Sequence, residues 1–400
     1  MNAFMLTGTD QLRPSSPALP MLLCLSHLRW DFVFQRPQHL MTRAASTHRV
    51  VYFEEPRFIE DVHSDPCLDV RHSPEGVLVA TPLLPAGLDA PAADTAQREL
   101  LDRLLASLAA PLAAVWFYTP MALDFAGHLR PAVTVYDCMD ELTLFRGASP
   151  RLALLERRLL KQADLVFTGG RSLYEAKRRL HPHAHLFPSS VDAAHFRRAR
   201  VCTAPEPADQ AALPHPRIGF FGVLDERMDY ALLDQVAAAR PDWQFVMLGP
   251  TAKIDPAALP QRPNLHWLGM KSYADLPAYL AGWDAGLMPF ALNEATRFIS
   301  PTKTPEFLAA GVPLVSTPVP DVVSDWQRDG LVEIAGGPDT VVAAIETLLA
   351  RPRAPWQARV DRRLAGQSWD ATWARMRRLI ETSATASQRP AIPAGEPAHP

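Results

Sequence analysis

A chain of 400 residues is long enough for two domains with a core each, and 48% hydrophobic with 21% charged residues is ordinary for a globular protein. The formal net charge of −3 excludes the basic excess of a dedicated nucleic-acid binder, and no apolar run approaches the ~20 residues that span a bilayer. The 39 prolines, about twice the usual share of ~5%, lie mostly in connectors and at the two ends.

Cys24, Cys67, Cys138 and Cys202 are scattered with no C-x-x-C pair, which fits free thiols in a reducing cytoplasm better than a disulfide or a metal site. The N-terminus has no basic segment followed by an apolar core, so export is not expected.

Residues 1–20 are polar and proline-containing, and are expected to form a flexible arm. Met21–Ser26 is the first buried strand, followed by the loop HLRWDFVFQRPQHL, a helix from Arg36 to about Ala45 and a second strand at Val50–Phe53. This β-loop-α-β opening starts a parallel α/β sheet. The loop lacks G-x-G-x-x-G, which argues against a nicotinamide or flavin enzyme. It does place His27, Arg29, Trp30, Arg36, Gln38 and His39 near the carboxyl end of strand 1, where doubly wound sheets bind ligands. A polar surface loop with Trp30 and Phe32 packed inward is the plainer alternative. Arg36 is the leading anion contact of the group.

Apolar runs at Leu78–Ala80, Ala113–Tyr118, Val133–Tyr136 and Leu165–Thr168 alternate with helical stretches and continue the sheet. Asp137, Asp140 and Glu141 fall just past a strand end, where carboxylates serve either acid-base work or helix capping. His181, His183 and His185 alternate as zinc ligands on a strand would, but Pro182 breaks that geometry, and no metal is expected.

Residues 197–216 read as a linker, and Arg217–Phe221 opens a second sheet that turns at Gly222. Strands at Asn264–Leu268 and Asp284–Met288 follow, with a helix at Tyr273–Leu280 between them. Ser300, Pro301, Thr302, Lys303 and Thr304 have the composition of a helix N-terminus, with the helix running from about Pro305 to Ala310 and stopping at Gly311. Such an N-terminus favours phosphate, and Lys303 adds a full charge. Glu306 either complements the helix dipole or accepts hydrogen bonds from the two hydroxyls of a ribose.

Helices are expected at Pro338–Leu349, Pro355–Ala365 and Trp369–Thr382, with disorder from Ser383 onward. Arg351, Arg353, Arg359, Arg362, Arg363, Arg375, Arg377 and Arg378 make this end basic. They form either a solvated helix face or a contact for anionic lipid headgroups.

PTKTPEFLAAGVPLVST resembles the donor segment of the retaining GT-B glycosyltransferases of family 4, whose usual form is Glu, seven residues, Glu, a small-residue helix, Gly and Pro-Val. Glu306 matches the second Glu. Phe298 stands where the first would be, and Glu294 lies four residues too early. ADLVFTGGRSLYEAKRRLHPHAHLFPSSVDAAHF resembles a second family segment, with Ser189-Ser190 replacing its usual Asn-Gly turn. The pattern W-x-F-x-x-Q-R-P-x-x-L in the first loop is similar to one bacterial envelope-polysaccharide branch.

The resemblance implies an α/β protein with the GT-B fold, two Rossmann-like doubly wound domains facing a cleft. Residues 21–200 would form the acceptor domain and 215–367 the nucleotide-sugar domain. Residues 368–382 would return to the first domain, and 383–400 would be a disordered tail. Donor binding falls to Gly222, Arg227, Thr302, Lys303, Thr304 and Glu306, and acceptor binding to His27, Arg36 and His39. In the family two basic residues after the Gly222 turn grip the diphosphate. Val223 replaces the first, and Arg227 takes the place of the second or merely pairs with Asp225 or Glu226. Asp140 stands in for a family histidine that is missing here, so Asp140, Arg227 and Lys303 are the catalytic candidates.

The implied activity is sugar transfer, with retention, from a nucleoside diphosphate such as UDP to a glycan or lipid-linked acceptor in envelope polysaccharide synthesis. The protein would use no cofactor beyond the nucleotide sugar, bind no nucleic acid and sit in the cytoplasm, in peripheral contact with the membrane's inner face. The absence of any Asp-x-Asp pair fits chemistry without a metal. A non-catalytic nucleotide- or glycan-binding scaffold and a sugar-nucleotide epimerase remain alternatives.

Overall fold

A computed structural model describes residues 4–5, 19–202 and 205–387. The rest of the expected arm and the tail beyond Ser387 lie outside the described residues.

The first sheet is built from β1 (Phe4–Met5), β2 (Met21–Leu25), β3 (Arg49–Phe53), β4 (Arg57–Ile59), β5 (Cys67–His72), β6 (Leu78–Pro85), β7 (Leu112–Phe117), β8 (Val133–Cys138), β9 (Leu165–Thr168) and β10 (Ala184–Leu186). Its order is β1-β5-β6-β3-β2-β7-β8-β9-β10, with β4 paired to β6. All five residues of β2 are buried, as a strand covered on both faces must be. One face packs on Leu100, Leu101 and Leu104 of the helix Ala90–Leu108 and on Leu155 and Leu159 of the helix Leu152–Gln162. The other packs on Leu40 and Met41 of the helix Arg36–Ala44 and on Trp369, Trp373, Met376 and Ile380 of the last helix. Two features depart from the sequence reading. β5 runs antiparallel to β6, and Phe4–Met5, inside the expected arm, pairs with Leu68 and Asp69.

The second sheet is wholly parallel, in the order β13-β12-β11-β14-β15-β16. Its strands are β11 (Arg217–Phe221), β12 (Gln244–Leu248), β13 (Leu265–Gly269), β14 (Ala285–Met288), β15 (Leu314–Ser316) and β16 (Val332–Ile334). By chain position this is the doubly wound order 3-2-1-4-5-6, and the run β6-β3-β2-β7-β8-β9 of the first sheet repeats it. Strand order therefore reverses beside β2 in one half and beside β11 in the other, and ligands of such sheets bind at those carboxyl ends.

The last helix, Trp369–Ser387, runs five residues past the expected end. Ala384 packs against the first half's core, and the Thr385 hydroxyl donates to the Glu381 carbonyl at 2.6 Å, so Ser383–Ser387 continue the helix instead of beginning a disordered tail.

Candidate active site

The turn after β11 and the helix Lys303–Ala310 form the floor of the cleft. Gly222 has φ +140°, and its amide donates to the Leu248 carbonyl at 2.9 Å. A Cβ at Gly222 would collide with Lys303 Cε, and one at Gly249 with the Gly222 carbonyl. Gly222 therefore lets the lysine lie directly across the turn, and Gly249 lets the neighbouring backbone approach that turn. The helix ends at Gly311 in the left-handed conformation, φ +82°.

Beside this floor is a cavity of about 390 Å³, lined by Trp30, Phe34 and Gln35 from the first half and by Gly222, Gly249, Tyr273, Thr302, Lys303 and Glu306 from the second. Phe34 and Tyr273 meet across it, ring centroids 4.8 Å apart. Burial lowers the Lys303 pKa even though Glu306 pulls it up. Burial likewise pushes Glu306 up to about 7, outweighing the attraction of Lys303. A lysine and a carboxylate one turn apart, both short of water, suit an anion beside a hydroxyl-rich group.

Asp140 lies in the first half, two residues past β8. Burial raises its pKa against the pull of Arg227, Lys303 and Arg36, so the three catalytic candidates share one electrostatic neighbourhood. Arg227 is gripped by Asp225 through Nε (3.0 Å) and Nη2 (2.7 Å), the ion pair that was its alternative reading. Its guanidinium also lies over Phe145 of the first half, 5.5 Å from the ring centroid, with Lys253 at 5.7 Å from the same ring.

Several expected contacts are corrected. Arg36 is 1% exposed, bonded through Nε and Nη2 to Asp137 and through Nη1 to the Phe187 carbonyl, so its charge is neutralised inside the first half and is not presented to an acceptor. His39, 2% exposed, stacks on Trp369 with centroids 4.7 Å apart, and burial lowers its pKa to about 3. It is a packing residue. Thr304 is fully buried, its hydroxyl turned to Met288 Sδ and its amide bonded to the Pro301 carbonyl, which leaves Thr302 and Lys303 as the helix tip. That helix begins two residues earlier than expected. His27 is not among the residues that line the cavity; burial lowers its pKa to about 4 and holds it neutral, and its Nδ1 has no partner among the described residues. Glu141 pairs with Lys177. Glu294 pairs with Arg297 and is 76% exposed, while Phe298 packs on the first half's core, so neither supplies a carboxylate to the cleft.

Sequence reasoning missed Phe34, Tyr273 and Phe145, whose roles depend on contacts between segments remote in sequence. Among the described residues no cluster of three or more His, Cys, Asp or Glu could hold a metal ion.

Residues 215–351 match the family model described as glycosyl transferases group 1. The chain is a glycosyltransferase with the GT-B fold. It is 26% identical over 300 residues, 70% of this chain and 71% of the relative, to a putative teichuronic acid biosynthesis glycosyltransferase TuaH of Bacillus subtilis. In fold it is similar to an α,α-trehalose-phosphate synthase (UDP-forming) of Burkholderia vietnamiensis, with TM-score 0.65, 15% identity and coverage of 93% and 99% of the two chains. A trehalose-6-phosphate protein of E. coli bound with UDP-2-fluoro glucose gives TM-score 0.64, 13% identity and coverage of 90% and 99%. The matched family segment contains the whole floor of the cleft described above.

Proposed function

We propose that this glycosyltransferase moves a sugar from a nucleoside-diphosphate donor, a UDP-sugar in the first instance, to a glycan or lipid-linked acceptor of envelope polysaccharide synthesis, with retention and without a metal. The observation that carries the reading is Lys303 laid across Gly222 with Glu306 one turn further on, all three lining one cavity. The UDP-2-fluoro glucose bound to a protein of the same fold supports the donor class, and the name of the Bacillus subtilis relative supports the acceptor pathway.

In this reading Lys303 and the amides of the helix tip receive the charge that grows on the diphosphate as the anomeric bond breaks, with Arg227 beside them. Glu306 accepts from the ribose hydroxyls. Asp140, of the first half, offsets positive charge developing at the anomeric carbon. In this reading the cations would stand in for a metal. A lipid-linked acceptor would place the chain at the inner face of the membrane.

Calorimetric titration with UDP and GDP, followed by NMR of the product of a sugar-nucleotide panel with and without EDTA, tests each part. Absence of binding by either nucleotide overturns the donor assignment. An inverted anomer overturns retention, and activity lost to EDTA and restored by Mn²⁺ overturns metal independence.

A further inference from the structure

Outside the cleft, a second pocket of about 540 Å³ lies at the edge of the first sheet, where β10 meets the last helix. Its residues include Tyr174, His185, Phe187, Arg375, Arg378 and Leu379.

Five of the eight C-terminal arginines named above have partners in the structure. Arg351 pairs with Glu333, Arg363 with Asp329 and Arg377 with Glu381, while Arg353 and Arg359 donate to backbone carbonyls. Arg375 and Arg378 have no carboxylate or carbonyl partner among the described residues. Three positions apart, they project from one side of the helix into the same pocket, with Leu379 beside them. No acidic residue lines it. The Arg375 guanidinium lies 4.9 Å from the Phe187 ring centroid. Stacked in this way, it keeps its N–H edge free for in-plane donation to an oxyanion. Phe187, Leu186, Ala184 and Leu379 make the remaining wall largely apolar. Unpaired guanidinium groups over an apolar wall match an anion carried on an apolar body, since each half of such a ligand loses water against a matching surface.

We propose that this pocket is a second binding site, separate from the donor cleft, for a phosphate ester carried on an apolar group. It does not depend on the donor assignment, because its residues lie outside the cleft and its test reads binding alone.

The test is calorimetric titration of the full chain with dodecyl phosphate below its micelle concentration. Saturable binding is expected, weakened at least tenfold in Arg375→Gln/Arg378→Gln and unchanged in Lys303→Ala, which removes a cleft cation, and in Arg362→Gln, an exposed arginine elsewhere. Melting curves of each variant confirm folding. Inorganic phosphate alone should bind at least tenfold more weakly. Co-sedimentation with phosphatidylglycerol or phosphatidylcholine vesicles separates the sources: binding only to the anionic vesicles, lost in the double variant, identifies a membrane headgroup. Dodecyl phosphate binding without vesicle binding identifies a dissolved phosphate ester. No saturable dodecyl phosphate binding, equal affinity for inorganic phosphate, or an unaffected folded double variant overturns the proposal.

Discussion

Asp321 of the second half caps a helix of the first: its carboxylate accepts from the Ser172 amide at 3.0 Å and from the Ser172 hydroxyl. The helix Arg171–Lys177 begins at Gly170, which has no side chain to perform this task. A Cβ at Gly170 would collide with Asp321 and Ser300, so the glycine permits the approach. Arg171 and Asp325 add an ion pair at 2.9 Å across the same boundary. Removing a cap costs ~1 kcal/mol. Asp321→Ala is therefore expected to lower stability by about that amount in urea unfolding and to enlarge the scattering radius of the free protein. An unchanged radius would show that this contact does not hold the halves together.

Lys303 lies against Gly222 and is deprived of water, so its charge has few alternatives to a bound anion. Lys303→Ala should weaken UDP binding by roughly tenfold or more, given ~1.5–3 kcal/mol for a hydrogen bond to a charged group. Calorimetry reads this directly. Stability should be equal or higher in the variant, because the fold disfavours the charged form of Lys303.

Glu306 gives a pH signature. Its carboxyl sits at about 7 in the folded chain against an ordinary value of 4.5. Below ~4.5 it is neutral in both states and costs nothing. Between those values the unfolded chain ionises first, so the folded state loses stability as pH rises, by ~3 kcal/mol in full above about 7. Glu306→Gln should raise the urea midpoint at pH 8 and leave it unchanged at pH 4. UDP affinity of the unsubstituted protein should strengthen as pH rises through about 7, as the carboxylate becomes able to accept from two hydroxyls.

The Arg36–Asp137 pair is closed off inside the first half, with exposures of 1% and 0%. Breaking one partner of such a pair costs ~3–5 kcal/mol, whereas replacing both by apolar groups costs far less. Asp137→Asn should therefore be strongly destabilising in urea. Arg36→Met/Asp137→Leu should recover most of the loss and, if the pair is purely structural, retain donor binding.

The buried parallel strands were legible because stretches such as MLLCL and AGLM are apolar on both faces. Gly222, Lys303 and Glu306 were legible because a strand-turn and a helix start each have a local signature, and the structure sets all three on one cavity. Arg36 and His39 were misread because a cation and an imidazole at a strand end look the same in sequence whether they face a ligand or a neighbour. Only the distant Asp137, 101 residues on, and Trp369 decide between those outcomes. Thr304 was lost to a shift of two residues in the helix start, since the register decides which hydroxyl turns inward. Phe145 carries no local signal, because its place over Arg227 depends on how the two halves meet.

The chain passes between the halves twice, after β10 and again between Leu364 and Trp369, and the two passages adjoin. His195 on the first stacks on Tyr273, which touches His39, which stacks on Trp369 at the end of the second. Two neighbouring covalent tethers on one side of the molecule would favour a hinge-like swing of the halves over a sliding one. A swing moves the far lip most, where Phe145 and Arg146 of one jaw bite on Arg227 and Glu226 of the other. A swing about the aromatic pivot would therefore part that lip first.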